Sequence, residues 1–520
     1  MQGDKQGRAW VGRRSASGVR RASAACGLGL LSLAAAAPAA DQPQWGERFS
    51  RNMVSAEKGL PARFDPAAGQ NVKWVAEIGT ETHGTPVIAG GRVYIGTNNG
   101  RPRDPRHVGD RGVLMCFEEK TGRFLWQLVV PKITTSVYWD WTGSGICSPA
   151  TVEGERVYIV SSRGEVMCLD ANGLADGNGG PFDQEGRHSV PEGQPALEPG
   201  PSDADILWLF DMIKECGIRQ HDGAHCSILV DGQFLYVNTS NGVDDTHRHI
   251  ASPDAPCLIV IDKATGRLVA RDDEHIGPNI FHCTWSSPSL GVVNGRKLIF
   301  YAGPNGVVYA FEPVKEAKDG VQTLKKVWWF DMDPSAPKEQ VHRYTANRQE
   351  SPSTIHAMPV FVDNSLYVAG GGDIWWGKRQ SWLLRVDATK AGDVTATAKM
   401  WSYDLTRHTL STPAIWNGLA FVADTGRKIH CVDAASGAPC WTHDIQGEMW
   451  SSTYVADGKV YVGTRRGEFI VLAASREKRL LSSIVLDGPV SGTPVAANGT
   501  LYVTTQRRLY ALQNADSRRP

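Results

Sequence analysis

The chain has 520 residues, and its 55 basic side chains equal its 55 acidic ones. A zero net charge argues against a polyanion-binding surface, nucleic acid included, and gives no general electrostatic steering. With 17 tryptophans, 55 glycines and few long amphipathic helical patterns, the composition predicts a strand-rich globular protein.

Residues 1–40 read as a signal peptide. Arg8, Arg13, Arg14, Arg20 and Arg21 form a basic region, the apolar run ACGLGLLSLAAAA follows, and Ala37-Pro38-Ala39 offers a small-x-small cleavage site. The apolar run is too short to span a bilayer, so the mature protein is expected to be exported, periplasmic or secreted, and soluble. Two Arg-Arg pairs leave the Sec and twin-arginine routes both open. Nine of the ten cysteines lie beyond this leader. An odd number in an oxidising compartment requires a free, metal-bound or intermolecular cysteine.

Residues 41–70 form an N-terminal extension, and NVKWVAEI (71–78) reads as a strand. One pattern then recurs to the end of the chain. TPVIAGGRVYIGT at 85 returns at 148, 227, 287, 358, 412 and 452, and as TPVAANGTLYVTT at 493. Each copy is an apolar run, a Gly/Asp/Asn turn and an alternating apolar run, which is a β-hairpin. A third strand ends in a D-x-x-[ST]-G-type turn with Trp four residues on, as in EEKTGRFLW (118–126) and DAASGAPCW (433–441). DKATGRLVA (262–270) keeps the turn but has Ala270 in the Trp position. Such a repeat at about 40 residues predicts an all-β, eight-bladed β-propeller of four-stranded antiparallel blades, seven blades being the rival count. The last copy, ending RRLYALQ, lacks its outer strand, which 71–78 would supply, with Trp74 in the docking position. The ring would thus close on the N-terminal strand. The propeller is expected over 71–512, with a tail at 513–520.

These turns, the TPV…VYVG hairpins and the eightfold count resemble the pyrroloquinoline-quinone (PQQ)-type propellers. That superfamily includes quinoprotein alcohol dehydrogenases and the outer-membrane assembly lipoprotein propeller. RNMVSAEKGLP (51–61), ECGIRQHDGAHCS (215–227) and NIFHCTWSSP (279–288) resemble an exported bacterial branch of it. The resemblance implies the fold, and it implies either an enzyme or a scaffold, since the fold hosts both.

Insertions are uneven. Blades 6 to 8 are nearly bare, whereas blades 1 to 5 carry long B–C loops (98–112, 240–256, 370–381) and long crossovers (131–146, 211–225, 271–285, 331–356). Both loop types open on one face, which is therefore the expected functional face. On the other face, Asp170, Asn172, Asp176, Asn178 and Asp183 offer oxygen ligands to calcium in an otherwise ordinary polar loop.

The repeat register also identifies the residues that crown the central channel: His83, Ile146, His225, Trp285, His356, Leu410, Trp450 and Ser491. Cys147 and Cys226 follow two of them at equivalent positions, where a disulfide is conceivable. His83, His225, His356, Trp285 and Trp450, with Arg348, are the candidate cofactor-binding set; buried aromatic plugs are the plain alternative. Around blade 3, His221, His225, His247, His249, His275 and His282 crowd neighbouring loops. Of these, His221, His225, His247 and His282, with Asp222, are the candidate metal ligands, because imidazoles converging from separate loops suit a transition metal. Solvent-facing histidines are the alternative. The resulting expectation is a monomeric binding or scaffold module that holds a protein partner or small ligand on the loop face, with or without a metal. The other reading is a PQQ/calcium-dependent alcohol or sugar dehydrogenase. Cys-Cys, CxxC and CxxCH are absent from the sequence.

Overall fold

Alternating apolar residues place one side of every strand against the next blade, and the Gly/Asn turns between them supply the positive φ that two-residue hairpins need. In the computed structural model, which describes residues 40–515, these hairpins build eight small sheets. The expected signal peptide lies outside the described residues. The innermost strands of blades 1 to 8 are Val87–Ala89, Thr151–Glu153, Leu229–Asp231, Ser289–Val293, Val360–Val362, Ala414–Trp416, Tyr454–Ala456 and Val495–Ala497. Val72–Glu77 pairs antiparallel with Arg508–Leu512, Val75 opposite Tyr510, and so completes blade 8 from the N-terminal side. Among the described residues, no helix is long and apolar enough to cross a membrane.

The docking tryptophans fasten neighbouring blades. Trp74, Trp126, Trp208, Trp328, Trp401 and Trp441 each donate Nε1–H to a backbone carbonyl of the next blade's turn, on Glu119, Ala171, Lys263, Ala388, Ala434 and Ser475, at 2.9 to 3.2 Å. The turn glycine lies under the indole. A Cβ on Gly122 would meet the Trp74 ring at 2.6 Å, and one on Gly437 the Trp401 ring at 2.7 Å. Glycine is thus required both for its positive φ, 73° and 74°, and for this close approach. Beside blade 3, where Ala270 replaces the tryptophan, Gln322–Thr323 runs parallel to the outer strand, opposite Ala270 and Arg271.

The N-terminal extension has a structural role of its own. It threads the channel, touching the inner strands through Val152 N–H to Pro43 O, Leu290 N–H to Phe49 O, Phe361 N–H to Ser50 O and Val455 N–H to Met53 O. Val54–Ser55 adds a parallel strand inside blade 7. Arg51, fully buried, donates to the carbonyls of Trp45, Ser227 and Pro288 and to the Ser227 hydroxyl. Burial lowers its pKa to about 10, so the guanidinium keeps its charge at neutral pH. Farther on, Met53, Val54, Leu60 and Phe64 join one apolar cluster with blades 6 to 8.

Candidate functional site

The long loops of blades 1 to 5 meet. Tyr138, on the crossover from blade 1 to 2, stacks on His221 of the next crossover (centroids 5.5 Å) and edges His247 of the blade 3 B–C loop (4.8 Å). Trp376, on the blade 5 B–C loop, packs on His247 at 4.7 Å, and its neighbour Trp375 edges His282 of the blade 3–4 crossover at 5.3 Å. Thr345, on the blade 4–5 crossover, donates its hydroxyl to His247 O. Crossovers and B–C loops therefore occupy a single face.

At the centre of this face the channel opens into a cavity of about 310 Å³. Seven of the eight crown positions line it: His83, His225, Trp285, His356, Leu410, Trp450 and Ser491. Cys147 takes the place of Ile146, and Trp45 of the channel-threading segment also lines it. Trp285 packs against His225 at 4.6 Å, His356 at 5.3 Å and Trp375 at 5.4 Å. Arg465 lies over the Trp450 ring at 3.8 Å. Several buried polar atoms have no partner: Trp285 Nε1, Trp450 Nε1, Arg465 Nη1, Ser491 Oγ and His356 Nδ1. Burial lowers the pKa of His225 to about 3, so this imidazole is neutral. A hydrogen bond from His83 holds the Glu81 carboxyl below its ordinary value. Burial pushes the Cys147 and Cys226 thiols up to about 12 and about 11. They remain unreactive thiols; the two are not bridged, and all nine described cysteines are free.

Beside the cavity, the ligand atoms of His221, His247 and His282 lie within 4.8 Å of one another, and all three residues are buried. His221 Nε2 and His247 Nε2 are 3.1 Å apart. His221 Nδ1–H donates to Val243 O and His282 Nδ1–H to Asp373 Oδ2, so both present Nε2 to the cluster. Asp222 faces it from the cavity side, with Oδ1 3.7 Å from His221 Nε2 and Oδ2 3.7 Å from His282 Nε2. His282 Nε2 and Asp222 Oδ1 are buried without a partner. Asp222 and His247 both adopt left-handed backbone, φ 59° and 57°. That conformation is uncommon outside glycine, and Asn, Asp and His tolerate it best. Burial pushes His221 down to about 2 and the Asp222 carboxyl up to about 6. Burial also disfavours the charged form of His282, but Asp373 and Asp222 outweigh it and raise its pKa.

Asp373 ties cluster to cavity. Its Oδ2 accepts from His282 and, at 3.3 Å, from His356, while its Oδ1 accepts from the backbone N–H groups of Trp375 and Trp376. It is fully buried. Burial opposes its charge, yet the two histidines hold its carboxyl well below the ordinary range.

Two expected residues need correction. Arg348 does not line the cavity: its guanidinium donates to the carbonyls of Ile374, Trp375 and Gly377 and so braces the aromatic loop. The cation of the cavity is Arg465, in the short B–C turn of blade 7. His225 is not part of the histidine cluster, because its ring packs on Trp285 in the cavity. His249 and His275 are exposed. In the blade 2 loop, Asp170 pairs with Arg156, Asn172 Oδ1 accepts from Arg92 and Asp176 accepts from Asn172. Those oxygens are held by protein donors rather than gathered for calcium.

A family model described as outer membrane protein assembly factor BamB matches residues 385–480. The quinohemoprotein alcohol dehydrogenase of Comamonas testosteroni is 25% identical over 147 residues, 25% of this chain and 21% of the relative. The 1-butanol dehydrogenase (cytochrome c) of Thauera butanivorans is 27% identical over 145 residues, 24% and 20% of the two chains. The chain thus matches about a fifth of the length of these curated relatives. Among solved structures, the europium-containing methanol dehydrogenase superposes with a TM-score of 0.58 at 12% identity, covering 91% of this chain and 98% of the other. BamB from Moraxella catarrhalis superposes at 0.52 with 13% identity, covering 85% and 99%. The fold is that of the PQQ-type propellers, shared with an assembly factor and a dehydrogenase alike.

Proposed function

We propose that this PQQ-type propeller is an exported ligand-binding protein that works through the cavity on its decorated face. The observation that carries the reading is the cavity's set of unpartnered donors, Trp285 Nε1, Trp450 Nε1, Arg465 Nη1 and Ser491 Oγ, set among tryptophan rings. A buried donor without an acceptor costs about 1–3 kcal/mol, and an acceptor-rich ligand entering the cavity relieves that cost. The tryptophan rings add stacking area. The ligand class is therefore a small ring compound bearing carboxylate or carbonyl oxygens, oriented by Arg465. Export rests on the leader, whose basic and apolar regions are those of a signal peptide.

The test is thermal melting and tryptophan fluorescence of the full mature chain with aromatic carboxylates, aliphatic carboxylates and monosaccharides. Aromatic carboxylates are expected to raise the melting temperature and quench fluorescence, and Arg465→Met to abolish both responses. If no compound shifts either signal, the small-ligand reading fails. A protein partner on this face, where Trp141 is 45% exposed, would then be the function to pursue.

A second reading is favoured by the names of the curated relatives: a quinone-dependent dehydrogenase. The cavity suits a planar, acid-bearing quinone in size and in its tryptophan walls, which would hold and orient the ring. It suits calcium poorly, since that ion takes six to eight oxygen ligands. The two carboxylates lining the cavity, Glu81 and Asp222, face His83 and the histidine cluster respectively. A quinone absorbance band with dye-linked alcohol oxidation would establish this reading over the first.

A further inference from the structure

We infer that His221, His247 and His282 form a binding site for one divalent transition-metal ion, closed on the cavity side by the Asp222 carboxylate. The spacing fits. Metal–nitrogen bonds of about 2.0–2.1 Å in a tetrahedron place neighbouring ligand atoms about 3.3 Å apart. Here the His221–His247 edge is 3.1 Å, and the Asp222 carboxylate reaches toward the cluster with both oxygens, Oδ1 3.7 Å from His221 Nε2 and Oδ2 3.7 Å from His282 Nε2.

The orientation fits as well. Val243 O takes the Nδ1 proton of His221, and Asp373 takes that of His282. The Nε2 atoms are left to act as ligands, and the carboxylate behind His282 strengthens it as a donor. His282 Nε2 and Asp222 Oδ1 have no hydrogen-bond partner although both are buried. A buried polar atom is ordinarily paired, and a metal ion would satisfy both at once. Tyr138, Trp375 and Trp376 wall the cluster from outside.

Imidazole donors select a first-row transition ion rather than calcium or magnesium. Of the four ligands only Asp222 also lines the cavity. The ion therefore meets whatever enters the cavity at the Asp222 position, where a ligand oxygen exchanges with the carboxylate. Metal binding does not depend on the identity of that ligand and is tested without it.

The experiment is a cobalt(II) titration of the full mature chain, stripped with chelator, followed by the visible bands of low-symmetry cobalt. One equivalent is expected. His282→Gln and His247→Gln should each remove the bands, Asp222→Asn should weaken binding about 10–100-fold, and His249→Gln, at an exposed position, should change nothing. Cobalt should also raise the melting temperature of the wild type in a concentration-dependent way but not that of His247→Gln; this readout decides the matter if His282→Gln does not fold. A wild type that melts cooperatively yet takes up no cobalt would overturn the site. So would cooperatively melting histidine variants that bind cobalt as tightly as the wild type, because the ion would then lie elsewhere, for example at the second grouping of Asp104, His107 and Asp203.

Discussion

Two buried histidine–aspartate pairs lie in differently decorated sectors of the ring. In bare blade 6, His430 Nε2 donates to Asp424 at 3.0 Å and its Nδ1 meets the Tyr403 hydroxyl at 3.0 Å, so both ring nitrogens are engaged. In the decorated sector, His282 gives one nitrogen to Asp373 and leaves the other unpartnered among two more imidazoles and a carboxylate. The chemistry of the pair is the same and its surroundings differ. A histidine with both nitrogens engaged holds a fold together, whereas one with a free nitrogen aimed at other ligands is available for binding. The sectors differ in support too. The extension bonds inner strands of blades 2, 4, 5 and 7; blades 1 to 5 are braced by their own loops besides, whereas in blades 6 to 8 Leu60 and Phe64 of the extension add apolar packing.

The largest effect should come from breaking the decorated pair. Asp373→Ala removes the acceptor of His282, His356 and two backbone N–H groups, and should cost about 3–5 kcal/mol in chemical denaturation. The milder Asp373→Asn should weaken cobalt binding about 10–100-fold, while Asp424→Asn leaves it unchanged. Equal effects of the two substitutions on cobalt would erase the distinction between the sectors. Next is the support of the bare blades. Phe64, buried against Phe469 at 5.5 Å, should lose about 3 kcal/mol as Phe64→Ala, with cobalt binding intact.

A smaller effect is expected from pH. Burial opposes the Asp424 charge, but bonds from His430 and Thr406 outweigh it and hold its pKa below the ordinary carboxylate value. An acid with a depressed folded pKa adds stability above its unfolded value, about 3.9, and that stability is lost as pH falls below it. Denaturation midpoints between neutral pH and pH about 3 should therefore fall more steeply for wild type than for Asp424→Asn. The smallest expected change is Trp441→Phe, which keeps the ring but loses the bond to Ser475 O, at about 1 kcal/mol.

The fold was legible because it repeats. Hairpin turns, docking tryptophans and the orphan strand around Trp74 recur at a fixed period, and that register also located seven of the residues lining the cavity. What did not repeat was harder to read. Asp373 is a single acid in a glycine-rich loop, and its four bonds depend on three separate segments meeting. Arg465 lies in a bare turn, away from the insertions that mark the functional face. The extension carries no strand periodicity, since its pairing with the blades is limited to two residues on blade 7 and a single bridge from Gln42 to Ile88 of blade 1. His225 and His221 are four residues apart, yet one faces the channel and the other the loop cluster. The left-handed turn at Asp222 separates them, and spacing alone does not encode it.

The decorated sector is proposed to hold a transition metal at His221, His247 and His282 beside the ligand cavity. The most direct test is elemental analysis of the exported protein, purified without chelator, beside the His282→Gln and His247→Gln variants. One equivalent of a first-row transition metal per wild-type chain, absent from both variants, is the predicted result. One equivalent of calcium with a quinone absorbance band, or no metal at all in a cooperatively folded wild type, would contradict it.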